Sequence, residues 1–249
     1  MAITIKNEKQ IEYMRVAGRI TGEVLNLLET KVCAGISTLE LDRIAEDYIR
    51  KQGAVPSFKG YGGFPATICA SINEEIIHGI PSKRTLKDGD IISIDVGAYI
   101  NGFHGDAART FPVGEISDEA KKIIDVTKQS FFEGIKFAKS GNHLHQISGA
   151  VQEYVEANGF SVVRDYVGHG VGSEMHEAPQ IPNYKVNSRG PRLCKGMTLA
   201  IEPMVNAGDY RVKVLADKWT VVTKDKRLSA HYENTILITD GEPEILTLV

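Results

Sequence analysis

No stretch of the 249-residue chain approaches the roughly 20 apolar residues of a membrane span, and its opening segment, MAITIKNEKQIEYMR, lacks a signal-peptide core. The expected setting is the cytoplasm, with no membrane partner. A dominant charge is missing too. The net charge of -3 and pI near 6.2 leave no basic footprint for a nucleic-acid scaffold, so DNA is not an expected partner. Cysteine is scarce: Cys33, Cys69 and Cys194 are odd in number, far apart and in no CxxC pair, which argues against a disulfide framework or a zinc knuckle. Cys33 and Cys194 are expected to be small buried residues. What remains, 42% hydrophobic and 24% charged, can fill a sizeable globular core.

An internal repeat organises that core. In STLELDRIAEDYIRKQGA the apolar face is Leu41, Ile44, Ala45, Tyr48 and Ile49, with Ser37 and Glu40 as a capping box and Gly53 as a stop. In NHLHQISGAVQEYVEANGF the matching face is Ile147, Ala150, Val151, Tyr154 and Val155, with Gly159 as the stop. Leu41 and Ile147, Tyr48 and Tyr154, and Gly53 and Gly159 are each 106 positions apart. A longer amphipathic helix precedes each, one after Asn7 (Ile11, Met14, Ala17, Val24, Leu28) and one after Ser117 (Ile123, Ile124, Phe131, Ile135). The pattern reads as one domain, residues 1–249, built of two helix-helix-strand halves over approximately 7–115 and 117–249.

The repeat carries acids. IISIDVG places Asp95 on a face shared with Ser93 and Gly97, opposite Ile92, Ile94 and Val96, because successive strand side chains alternate. MTLAIE places Glu202 with Thr198 and Ala200, opposite Leu199 and Ile201. A second acid follows in each half, Asp106 in HGDAARTF and Glu233 in HYENTILI, each two positions after a histidine, His104 and His231. A lone strand carboxylate usually faces solvent or a salt-bridge partner. Four in pseudo-equivalent pairs, brought together by two facing halves, need compensating positive charge, and two divalent cations would supply it.

A histidine ligand is expected as well. His169 and His176 lie in the glycine-rich segment GHGVGSEMHEAP, one suited to bind metal and one to meet substrate, while His143 and His145 fit a helix start, and His104 and His231 could support the adjacent acids. Oxygen-rich, one-histidine ligation suits manganese, iron, cobalt or zinc, and two such ions activate water beside a carbonyl or phosphoryl group. These residues alone indicate a two-metal hydrolase, with peptidase and phosphoesterase both open.

Five ordered segments, INEEIIHGIP, GDIISIDVGAYINGFHGDAARTF, GHGVGSEMHEAPQIPNY, MTLAIEPM and TKDKRLSAHYENTILIT, resemble the methionine aminopeptidases, specifically the short bacterial type I form. The likeness runs from the first helix to EILTLV, and the 25 residues between His176 and Glu202 leave no room for the helical insert of the type II enzymes. It implies an α/β pita-bread fold around a central antiparallel sheet, and removal of initiator methionine from N-terminal peptides of nascent proteins. Asp95, Asp106, His169, Glu202 and Glu233 would hold two metals, with Asp106 and Glu233 bridging. Glu202 would be general base, His176 would donate to the scissile carbonyl, and His78 would hold the leaving nitrogen. Phe58, Tyr61, Phe64, Cys69, Met175 and Trp219 would line an apolar methionine pocket. Monomer is the default state, and the ribosome is an open possibility as partner. Two competitors are a proline-specific aminopeptidase of the same fold and a non-catalytic pita-bread binding protein.

Overall fold

The computed structural model describes residues 2–249. Its elements run α1 (Glu8–Glu29), α2 (Thr38–Lys51), β1 (Val55–Pro56), β2 (Ile68–Ile72), β3 (Glu75–Ile77), β4 (Ile91–Ile100) and β5 (Phe103–Pro112). A second series follows: α3 (Asp118–Ile135), α4 (Leu144–Ala157), β6 (Ser161–Val162), β7 (Gly168–Gly170), β8 (Glu177–Ile181), β9 (Thr198–Ile201) and β10 (Met204–Asn206). The last strands are β11 (Val212–Val214), β12 (Val221–Thr223), β13 (Ser229–His231), β14 (Glu233–Leu237) and β15 (Glu244–Ile245). No described helix is long and apolar enough to cross a membrane.

The repeat survives in burial. Leu41, Ala45 and Ile49 of α2 are buried with Ile44 and Tyr48 half-buried, and Ile147, Val151 and Val155 of α4 are buried with Ala150 and Tyr154 half-buried. Each helix ends one residue before its cap, and the next residue, Gly53 at φ +74° or Gly159 at φ +85°, takes the left-handed conformation that closes it. The capping box at Ser37 is only half made: Ser37 accepts from the Glu40 N–H without a return bond. The reciprocal version belongs to α1, between Asn7 and Gln10.

A nine-stranded, mainly antiparallel sheet orders β1, β4, β5, β14, β9, β7 and β8, with β2 also on β4 and β15 on β14. One face meets the helices. Ile92, Ile94, Val96, Ala107 and Phe111 pack with α1 and α2, while Leu199, Ile201 and Ile236 pack with α3 and α4. Alternation then commits the neighbouring residues to the opposite face.

Register turns that face into a site. Asp95 stands opposite Ala108, and Ala108 opposite Glu233, in one row across three strands. Asn234 pairs with Ile201, so continuing the ladder by one residue sets Glu202 across from Glu233. In the neighbouring row Gly97 faces Asp106, and on the other side Thr235 faces Ala200, which faces His169.

Between β5 and β14 only two residue pairs keep backbone pairing. Beyond them threonine hydroxyls replace it. Thr235 Oγ1 accepts from the Asp106 N–H at 3.0 Å and donates to its carbonyl at 2.9 Å. At the other end Thr110 Oγ1 does the same for His231, at 2.9 Å each way. Each hydroxyl serves a buried peptide group and leaves the strands parted where the acids stand. Thr235→Val keeps the shape and removes both bonds to Asp106. It should cost roughly 1–3 kcal/mol, the penalty for unmet buried polar groups, in urea unfolding of the chelator-treated protein; unchanged stability would mean that the strands do not depend on this hydroxyl.

Candidate metal centre

The two rows converge on one patch. Asp106, His169 and Glu233 place donor atoms within 4.8 Å of one another, as do Asp95, His231 and Glu233. His169 Nε2 lies 3.5 Å from Asp106 Oδ2 and 3.6 Å from Glu202 Oε1. Those gaps exceed a hydrogen bond but suit two donors each about 2.0–2.2 Å from a shared ion. His169 Nδ1 meets the Gly170 carbonyl at 2.8 Å, so it carries the proton and leaves the Nε2 lone pair facing the acids.

Despite its glycines, the segment bearing His169 is a strand, Gly168–Gly170. Its glycines serve close packing: a Cβ at Gly168 would come within 2.4 Å of the Ala200 carbonyl oxygen, and one at Gly170 within 2.3 Å of that of Ala178. Only glycine lets β7 lie against its neighbours at this point.

Burial without counter-charge governs the electrostatics. Seven buried side-chain polar atoms among the described residues lack a protein hydrogen-bond partner, and five belong to Asp95, Asp106, His231 and Glu233. Burial pushes Asp106 up to about 7. Asp95 rises well above the usual carboxylate range through burial and then the nearby Asp106, and Glu202 and Glu233 rise through burial and then their acidic neighbours. Orphaned oxygens, clustered acids and an imidazole lone pair fit divalent cations.

Beside the acids a cavity of about 160 Å³ is lined by Phe58, Tyr61, Phe64, Cys69, Met175 and Trp219, with His78 and His176. Phe58, Phe64, Cys69 and Met175 are buried, and Phe64 meets Trp219 edge-on at 5.1 Å. Cys69 pairs with Asp95 across β2 and β4, which places it on the site face. Gly97 lets this wall approach, since a Cβ there would lie 3.0 Å from the Phe58 ring.

The histidines part company. His176, exposed at the cavity rim, lies with its ring centroid 4.2 Å from that of His169, and its Nδ1 is 2.8 Å from Tyr61 Oη. His78 is held at φ +59°, a conformation that costs a residue with a Cβ about 1–3 kcal/mol and persists where the surroundings enforce it. Burial, then His176, lowers its pKa to about 4, so its ring is neutral at neutral pH. His104 does not partner Asp106; it meets Ser57 Oγ at 2.9 Å and packs on Tyr99. His143 caps α4 and His145 meets the Arg189 carbonyl, both away from the site.

Sequence reasoning placed Cys33 and Cys194 in the core. Both are exposed, because they fall in the turns before α2 and β9 rather than on a packed face. It also missed Tyr166, edge-on to His78 at 5.8 Å, and the threonines that part the strands. Thr110 and Thr235 alternate in step with the acids, the one signal that could have marked them.

Comparison with known proteins resolves the chemistry. The family model described as Metallopeptidase family M24 matches residues 12–240. The chain belongs to the M24 metallopeptidases. Within the family it is similar to a methionine aminopeptidase of Clostridium acetobutylicum, 63% identical over 99% of each chain. The crystal structure of the methionine aminopeptidase of Thermotoga maritima superposes with a TM-score of 0.98, at 46% identity and over 100% of each chain. The M24 pita-bread fold extends to an Xaa-Pro dipeptidase from Bacillus anthracis, where the TM-score is 0.77, the identity 25%, and 98% of this chain covers 61% of that one. A metallopeptidase centre removes the phosphoesterase reading, and divalent metals are its cofactors.

A pH effect follows from the raised carboxyls. Below about pH 4 folded and unfolded chains both hold these protons. Toward pH 7 the unfolded chain releases them first, so the cation-free fold loses stability as pH rises through that interval. Cations bind the deprotonated carboxylates and gain affinity over the same interval. The gap in melting temperature between manganese-loaded and chelator-treated protein should therefore widen from about pH 4 to 7; a constant gap would contradict the shifted carboxyls.

Proposed function

We propose that the chain removes the initiator methionine from N-terminal peptides of nascent proteins, and that Asp95, Asp106, His169, Glu202 and Glu233 would hold two divalent cations, Asp106 and Glu233 being the residues that would serve both. Both halves form one catalytic unit, acting as a cytoplasmic monomer. The observation that carries this reading is the cluster of orphaned acidic oxygens at one side of an apolar cavity of about 160 Å³, in a chain of this family.

When bound, the cations lower the pKa of water and polarise the peptide carbonyl. The chain's own groups do the rest. Glu202 takes a proton from the attacking water as oxygen bonds to the carbonyl carbon, and returns one to the nitrogen as the C–N bond breaks. Tyr61 donates to His176 Nδ1, which keeps the His176 proton on Nε2, free to donate to the carbonyl oxygen as charge develops there. Neutral His78 accepts from the scissile N–H and keeps that nitrogen beside Glu202.

The cavity sets the first residue. An unbranched thioether fits walls of Phe58, Phe64, Cys69, Met175 and Trp219, where sulfur–aromatic contacts add to burial. The second residue passes between the acids and His78, which favours small side chains such as Gly, Ala or Ser. A proline-specific reading has less support, since the Xaa-Pro dipeptidase is the more distant relative.

Turnover of metal-loaded protein on Met-Ala, Leu-Ala, Met-Lys and Ala-Pro peptides tests the assignment. Met-Ala should be fastest and Leu-Ala slower by about 1–3 kcal/mol of shape discrimination; fast Ala-Pro with poor Met-Ala cleavage would overturn it. His176→Ala should keep both cations and lose roughly 10²- to 10³-fold in turnover, whereas Glu202→Gln should lose cation occupancy and turnover together. Equal cation loss in both variants would remove His176 from the donor role.

A further inference from the structure

His231 lies outside the five donors of the proposed reaction, yet it is 1% exposed and neither ring nitrogen has a hydrogen-bond partner. An imidazole buried in that state has lost its water without gaining a replacement, so the fold has a reason to supply a partner. Its Nε2 lies 3.7 Å from Glu233 Oε2, too far for a hydrogen bond and close to the 3.5 and 3.6 Å that separate His169 Nε2 from its acids. With Asp95 and Glu233 it forms a trio of donors within 4.8 Å.

The ladder explains how it arrives there. β13 and β14 share one register against β10 and β9, since Met204 pairs with His231 and Ile201 with Asn234, and between them the Tyr232 N–H donates to the Pro203 carbonyl at 3.2 Å. Alternation puts His231 and Glu233 on the same face, in successive rows. His169 stands in the row on the other side of Glu233, so the two imidazoles flank the row of acids. Thr110 fixes both the N–H and the carbonyl of His231, which holds its backbone in place.

We propose that His231 is a direct nitrogen ligand of the cation held by Asp95 and Glu233, so that each of the two cations has one histidine, His169 for one and His231 for the other. The inference rests on the two-cation reading above. A nitrogen donor moves the Asp95 side away from oxygen-only ligation, which suits manganese or magnesium, toward iron, cobalt or zinc.

Cobalt(II) titration of the cation-free chain, followed by calorimetry and by proton NMR of hyperfine-shifted, solvent-exchangeable imidazole N–H signals, tests it without relying on activity. Two equivalents of cobalt should bind and two coordinated imidazoles should appear. In His231→Gln one imidazole signal should vanish, and the affinity for one of the two cobalt ions should fall at least roughly tenfold, as loss of metal-site support typically costs. If two cobalt ions bind the native chain with a single coordinated imidazole, the inference fails while the two-cation reading stands. If the chain binds no cobalt, both fail. A second signal that persists in a folded His231→Gln, with circular dichroism as the control, would assign it to another histidine and would also overturn the proposal.

Discussion

The organising constraint is the repulsion among four carboxylates taken out of water on one face of a sheet. Asp95, Asp106, Glu202 and Glu233 all have raised affinities for protons, and buried oxygens of three of them lack a partner in the protein. Such a cluster is tolerable when protons or cations neutralise it. The remainder of the fold can be understood as what holds those groups together despite their repulsion. Helices cover one face of the sheet with two apolar clusters, and that packing fixes which side chains must face the other way.

Holding the acids together also requires keeping the strands slightly apart. An uninterrupted ladder between β5 and β14 would satisfy every backbone group but close the strands behind the acids. Thr110 and Thr235 meet both demands, since one hydroxyl can accept from an N–H and donate to a carbonyl of the same residue. Each half contributes one such threonine, and each serves the other half's strand. The small residues along the same rows, Gly97, Ala108 and Ala200, leave space beside the acids.

The cavity is assembled from distant parts of the chain. Phe58 and Phe64 come from the segment after β1, Cys69 from β2, Met175 from the turn before β8, and Trp219 from the turn before β12. Tyr61 stands in a short turn with Gly60, Gly62 and Gly63 all at positive φ, a path that brings its hydroxyl to His176. One wall of the cavity and the hydroxyl that meets His176 therefore share one small loop.

The two helix-helix-strand series, the glycine stops and the acids on strands were legible in the sequence because each depends on local periodicity: 3.6 residues in α2 and α4, and two in β4 and β9. Family resemblance added the cavity residues, whose separation along the chain hides them from any periodic pattern. Local pattern could not distinguish His104 from His231, since each precedes an acid by two positions. Tertiary structure separated them, giving His104 to Ser57 and leaving His231 buried beside Glu233 without a partner. It likewise placed His169 on a strand and moved Cys33 and Cys194 to the surface. The sequence by itself determined which faces were apolar and which carried charge. Only the pairing of strands more than a hundred residues apart, such as Ala108 with Glu233, decided which polar groups meet, because hydrogen-bond register is set between strands and not within them.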